Sequence, residues 1–281
     1  MAQKKEANRL AKGKPFLEVL SSAIREDYRF PFLELFAFLY ALGTFVFASF
    51  GVSISNTQGA ANQAVATTNE AIAYGSVTSI LSLPLIIFII LVFKNIAYGL
   101  GSDLEKGIIQ TYFSYPLRRR AILTAKLLSA LGVALLLFLG IQISGLYILA
   151  PDIVLPQLGT VLLTYAASLS YPLLIAGIML LLTLKLRRGG ISLVAGIVLY
   201  FAMSIVSGIA TVFAWATESP LGLQILSTVS PSLALQQHYV GVFDFWTPAL
   251  SEALVYTAVS YVIVAFVFVL GYVYFSRRLN L

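Results

Sequence analysis

The residues that could carry chemistry are concentrated in one polar segment, Lys94–Ala121, between two apolar stretches. Its Ser102–Glu105 part matches the capping-box pattern, in which a serine begins a helix and a glutamate three residues later completes the cap. Four apolar side chains would then share one face of a short amphipathic helix: Leu104, Ile108, Ile109 and Tyr112. Such a helix either lies on lipid or docks into a partner protein.

Other kinds of reactive site are excluded by composition. The chain has no cysteine and one histidine, His238, so thiolate metal sites, disulfides and cysteine nucleophiles are impossible. It contains neither GxxxxGK[ST] nor HExxH, so no Walker-type nucleotide site and no zinc-protease site is predicted. We therefore expect no catalytic residue, no metal site and no cofactor bound by this chain, which we do not expect to be an enzyme.

Six apolar stretches must position the polar segment. The sequence is 59% hydrophobic and only 11% charged, against roughly 25% charged residues in soluble domains. Each stretch is long enough to cross a hydrocarbon core of about 30 Å as a helix. We predict an all-α, polytopic membrane protein with six transmembrane helices, over Phe32–Ile54, Tyr74–Phe93, Ile122–Leu149, Leu158–Leu184, Ile191–Trp215 and Ala253–Phe275.

The basic residues predict the orientation. All 18 Lys and Arg side chains fall on one side of a six-span arrangement: before the first span, between spans two and three, between spans four and five, and in the tail. The positive-inside rule places this side, with both termini, in the cytoplasm. The net charge of +6 therefore indicates orientation in a plasma membrane, with lipids rather than nucleic acid as partners.

Three connecting segments have distinct predicted roles. Residues 1–30 form a basic cytoplasmic N-terminus in which Pro15–Tyr28 is an amphipathic helix, begun by proline. Ser55–Ala73 is small, polar and free of basic residues, which indicates an external loop. Residues 218–251 are too short and broken for two spans, so we predict a pair of half-helices that re-enter the outer leaflet before the last span.

Four residues are candidates for contacts with a transported substrate or for a gate. Pro84 and Pro172 lie in the middle of spans, where proline removes a backbone hydrogen bond and favours a kink. Gln237 and His238 lie in the external segment, where they form either an interfacial polar cluster or a gate. No span has a central charged residue, which argues against secondary active transport.

The polar segment and the helix after it resemble the first cytoplasmic loop of the type-2 exporter permeases of ABC transporters. The matching positions are Glu105, Gly107, Thr111, Ser114, Pro116, Arg118–Arg120 and Lys126. The resemblance implies that residues 31–281 form a permease domain, that residues 102–115 are a coupling helix, and that the N-terminal helix is a connecting helix. The residues expected to contact an ATPase are Asp103, Leu104, Glu105, Gly107, Ile108, Thr111, Tyr112, Pro116 and Arg118.

The resemblance also implies partners. Two permease chains, identical or different, would each dock a separate ATPase subunit that binds ATP and magnesium, and the assembly would export a substrate. An amphipathic or lipidic substrate suits spans with scattered hydroxyl groups and no central charge. Two alternatives remain open from the residues: a channel or secondary transporter that works alone, and a membrane anchor or assembly factor that transports nothing.

Overall fold

Every regular element in the part of the chain that the structure describes is helical. The structure is a computed structural model that describes residues 2–61, 69–113, 117–149 and 151–277, and the side chains of all of these except 2–14, 47–61, 113, 149 and 153–154. No strand occurs in the described ranges, which confirms the all-α class. The α-helices are α1 (Ala2–Asp27), α2 (Phe32–Ala61), α3 (Asn69–Lys94), α4 (Ser102–Glu105), α5 (Ile108–Phe113), α6 (Arg119–Leu127), α7 (Ala134–Leu149), α8 (Pro151–Val154), α9 (Leu158–Leu186), α10 (Gly189–Thr217), α11 (Leu221–Ser227), α12 (Ser232–Val240) and α13 (Leu250–Arg277).

Two π-helical segments join some of these elements into longer helices. The segment π1 (Asn95–Gly101) connects α3 to α4, and π2 (Leu128–Val133) connects α6 to α7. We refer to α3–π1–α4 as the second long helix and to α6–π2–α7 as the third long helix.

All six predicted apolar stretches are helical. Among the described residues, five helices are long and apolar enough to cross a membrane, and a sixth candidate is the pair Pro15–Asp27 and Phe32–Val46, which is bent by 66°. The chain is therefore compatible with a multi-pass membrane protein. The five are Asn69–Glu105, Arg119–Ile148, Leu158–Leu186, Gly189–Thr217 and Leu250–Arg277.

The helices pack around α9, which contacts α3, α10, α12 and α13. Its most apolar stretch is 67% buried, whereas that of α10 is only 6% buried, so α10 lies at the periphery. Large buried side chains from α2, α3 and the third long helix fill the space beside α9, including Tyr40, Phe88 and Phe138. Edge-to-face contacts of Phe138 with Tyr40 and Tyr165 connect three helices in this core.

The predicted loop at Ser55–Ala73 is wrong over most of its length. Helix α2 continues to Ala61 and α3 begins at Asn69, while residues 62–68 lie outside the described part of the chain. Low hydropathy marks where a helix leaves an apolar environment, but it does not end the helix. The Ser55–Ala61 stretch contains no proline, and its polar side chains allow the backbone ladder to continue.

The N-terminal helix is longer than predicted but has the expected apolar face. It begins at Ala2 rather than Pro15, since the residues before the proline are mostly strong helix formers such as Ala, Lys and Glu. Val19 and Ala23 are buried on one face, and Leu17 is exposed on the other. The buried face packs against α6, π1 and π2, so this face of α1 is directed toward the other helices of the same chain.

The segment before α13 forms two short helices, as predicted. The turn between α11 and α12 reaches the interior of the bundle, because Ser260, the eleventh residue of α13, donates a hydrogen bond to the carbonyl of Val229 at 3.2 Å. At about 1.5 Å per residue, that contact is some 15 Å along α13. The structure thus has a helical hairpin that enters the bundle from the end where α13 begins.

Candidate functional site

One apolar cluster gathers the polar segment, which the sequence predicts to be cytoplasmic, and the predicted cytoplasmic ends of three spans. Leu104 and Ile109 from the polar segment, Leu123 from α6, Leu184 from α9 and Phe275 from α13 are buried together. Exposed basic side chains surround this cluster: Lys106, Arg118, Arg119, Arg120, Lys185, Arg188 and Arg277. We call this part of the bundle the basic end.

The predicted coupling helix is broken. Ser102 does not begin a helix: Gly101 before it is already helical, with φ −68°, and no side-chain cap is formed. The second long helix instead runs on to Glu105, and Gly107, at φ +71°, turns the chain before α5 begins. A positive φ is readily adopted only by glycine. The capping-box prediction and the single helix over 102–115 are therefore wrong.

The predicted apolar face is also divided. Leu104 is 5% exposed and Ile109 is fully buried, so both hold the segment onto the bundle, whereas Ile108 is 38% exposed. Thr111 is exposed beside it and Tyr112 is half-buried. Since the turn at Gly107 changes the direction of the chain, a face calculated for one continuous helix does not apply. The exposed surface of the segment is therefore narrower than predicted and centres on Ile108 and Thr111.

Lys126 connects this segment to two other helices. Its ammonium lies 2.7 Å from Asp103 Oδ2 and 2.9 Å from Glu26 Oε2. Asp103 was expected to contact an ATPase, but its side chain and that of Lys126 are each only 2% exposed. Tyr112 adds a cation–π contact, with its ring centroid 5.4 Å from the ammonium. The ends of α1, α4 and α6 are thereby tied at one point.

A second polar group lies next to this ion pair. Lys94 donates to the carbonyl of Asp27 at 2.6 Å, and Ser129 donates to the Asp27 carboxylate. Asn95 donates to the Tyr28 hydroxyl at 3.0 Å, and that hydroxyl donates to the carbonyl of Ser129 at 3.1 Å. All of these side chains except Lys94 are buried. The end of α1 is thus bonded to both π segments.

Two further contacts complete the basic end. Glu105 accepts a hydrogen bond from the Gly189 N–H at 3.4 Å, at the start of α10. A Cβ on Gly101 would lie 2.8 Å from the Gly189 Cα, so only glycine permits this approach. Arg118 is exposed, has an extended backbone and accepts the first hydrogen bonds of α6 through its carbonyl. Pro116, also predicted in this site, lies outside the described residues.

The four candidate gate residues are not brought into one site. Gln237 is buried, and its side-chain amide forms hydrogen bonds with the backbone of the 241–249 segment. It donates to the carbonyls of Phe243 and Trp246 and accepts from the Phe243 N–H at 3.0 Å. His238 lies 3.0 Å from the Pro248 carbonyl. Pro84 and Pro172 are buried inside α3 and α9, which continue through them. Gln237 therefore stabilises the end opposite the basic end.

A cavity of about 330 Å³ lies beside the helical hairpin, halfway along the bundle. Tyr171 and Ser204 line it from the middle of α9 and α10, and Ser230 lines it from the hairpin turn. Ser207 and Thr211 add hydroxyl groups, while Met203 and Leu226 add apolar surface. The arrangement can hold a molecule with both hydroxyl-bonding and apolar parts.

Sequence reasoning missed most of the polar contacts at the basic end. It singled out Lys126 and Asp103 without pairing them, and it did not single out Glu26. Two signals were present: the adjacent carboxylates Glu26 and Asp27 lie a few residues before the first apolar stretch, and Asn95 is the second residue after the second stretch. The sequence matches no protein family and no curated protein.

Proposed function

We propose that the chain is the transmembrane permease subunit of an ATP-binding cassette exporter. It would pair with a second permease chain, and each would dock a separate ATPase subunit at the basic end in the cytoplasm. The observation that carries the proposal is the segment 102–113, which turns at Gly107 and presents Ile108 and Thr111 while Leu104 and Ile109 anchor it. An exposed apolar residue on a firmly attached projection suits docking into a cleft.

The contacts around Lys126 support a route for the movement. A push on α5 acts on α4, which is bonded through Asp103 and Lys126 to α6 and through Lys126 and Glu26 to α1. Because α4 and α6 are the ends of the second and third long helices, the displacement passes directly into elements long enough to cross the membrane. ATP binding and hydrolysis on the partner would supply the energy, since this chain has no Walker motif.

The cavity beside the hairpin supports an amphipathic or lipidic substrate. Its hydroxyl groups come from α9, α10 and the hairpin turn, and the rest of α10 carries exposed apolar side chains such as Phe201, Ile205 and Val212. A second permease chain against α10 would close the open side of the cavity. A strongly charged substrate would find no counter-charge among the residues that line it.

Reconstitution into liposomes tests the proposal against its alternatives. The expected result is ATP-dependent export of a fluorescent phospholipid analogue when the chain is co-reconstituted with its ATPase, and no export with the chain alone. Transport by the chain alone would support a channel or secondary transporter. An ATPase that binds the chain but hydrolyses ATP at its basal rate, whatever lipid is present, would support an anchor.

A further inference from the structure

The two π-helical segments lie at the same level of neighbouring helices. π1 begins directly after Lys94 and π2 directly after Leu127. They contact each other, and Asn95 donates a hydrogen bond to the carbonyl of Ala130 at 3.5 Å. A π turn is uncommon, is concentrated at functional positions and interrupts the regular i to i−4 ladder. Because the two interruptions lie side by side, we expect both long helices to bend most easily at this position.

The contacts that hold the π segments come from the end of α1. The Tyr28 hydroxyl donates to the carbonyl of Ser129 in π2 and accepts from Asn95 in π1. Asp27 accepts from the Ser129 hydroxyl. A single tyrosine hydroxyl therefore bridges the two π segments, and its removal would leave the buried Ser129 carbonyl without this donor.

Glycines in π1 allow the close packing around it. The Asp27 carboxylate occupies the space that a Cβ on Gly99 would fill, and Gly101 lies against Gly189 of α10. Glycine also lowers the cost of changing the backbone conformation, because it is the least restricted residue. By contrast, α9 runs through the same apolar cluster without a π segment or a glycine between Ile178 and Leu184.

We propose that π1 and π2 together form a hinge. About this hinge, the ends that carry Asp103 and Lys126 turn with α1 relative to the apolar parts of the second and third long helices. Tyr28 and Asn95 are positioning residues that hold the hinge in the conformation described here. The inference goes beyond the proposed function, because the hinge requires no ATPase; a docked ATPase is one agent that would move it.

Hydrogen–deuterium exchange on the full chain in lipid nanodiscs tests the hinge without any partner. We expect amides in residues 95–101 and 128–133 to exchange at least about tenfold faster than those in residues 178–184 of α9, although residues 95–101 are the most buried of the three stretches. Equal exchange in the three stretches would overturn the hinge. Loss of ATPase binding in other experiments would overturn the proposed function and leave this result unchanged.

A pair of tyrosine variants tests the positioning role. Tyr28→Phe should accelerate exchange about fivefold in both π segments at once, as expected for one lost hydrogen bond that both share. Tyr272→Phe is the matched control, since its hydroxyl donates to the Thr124 hydroxyl at the same end of the bundle and contacts neither π segment through this bond. If Tyr28→Phe changes one segment only, or no more than Tyr272→Phe does, Tyr28 does not position the hinge.

Discussion

The Lys126 ammonium lies 2.7 Å from the Asp103 carboxylate, and both side chains are almost completely buried. Glu26 contacts the same ammonium at 2.9 Å but is 44% exposed. A buried charge is stable only while its partner remains, because no water replaces that partner. The pair therefore fixes the position of α4 relative to α6, and Glu26 adds α1 to the same point.

Removal of the ammonium should destabilise the protein strongly. Lys126→Met leaves the Asp103 carboxylate buried without its cation, which costs about 3–5 kcal/mol in comparable pairs. Thermal unfolding in detergent should show a much lower midpoint for this variant. The double variant Lys126→Met/Asp103→Leu should recover part of the loss, because it removes both charges. A single variant as stable as the wild-type protein would contradict the buried ion pair.

Two glycines of the second long helix should respond oppositely to alanine. At Gly101, the new Cβ would lie 2.8 Å from the Gly189 backbone, so α10 must shift, and we expect a loss of about 1–3 kcal/mol. At Gly75, an added Cβ would meet no atom of the described residues within 4 Å outside the adjoining turns of its own helix, and alanine should be neutral or stabilising by up to about 1 kcal/mol because it favours the helix. Unfolding midpoints of both variants measure the difference, and equal midpoints would be inconsistent with the close approach.

Gln237 should act on stability rather than on substrate selection. Gln237→Leu leaves the carbonyls of Phe243 and Trp246 without this donor, and we expect a cost of about 1–3 kcal/mol. The 241–249 segment should then be cut faster by protease. Gln236→Leu is the matched control, since this neighbour is exposed and its change should cost less than about 0.5 kcal/mol. Equal cleavage rates in the two variants would disprove the structural role.

The apolar helices could be predicted from the sequence, but the points at which one helix continues into the next could not. Apolar stretches such as Phe32–Ile54 exceed the length needed to cross a bilayer, and that property is local. The continuation of the second long helix through Lys94 and Asn95 depends instead on contacts with residues distant in the sequence. These polar residues look like the end of a span, but they bond to Asp27 and Tyr28, 67 residues earlier in the chain. Because the local sequence does not reveal these partners, it predicts that a new helix starts at Ser102.

The sequence predicted which segment forms the candidate site, but not which of its apolar side chains are buried and which are exposed. The apolar pattern correctly indicated a structured element after Phe93, and Leu104 and Ile109 are indeed buried. Which apolar side chain remains outside depends on the turn at Gly107 and on the position of α13, whose Phe275 joins the same cluster. Tertiary packing of this kind overrides a periodicity argument made over ten residues.

The most direct measurement is ATP hydrolysis by an ATPase that purifies with the tagged chain from its native membranes. We predict that Ile108→Asp, on the exposed side of α5, reduces the associated activity at least about tenfold and leaves the unfolding midpoint unchanged, because Ile108 is 38% exposed. Leu155→Asp is the matched control, an exposed leucine between α8 and α9 and remote from the polar segment, and should retain full activity. Wild-type association and hydrolysis in Ile108→Asp would contradict docking through this segment.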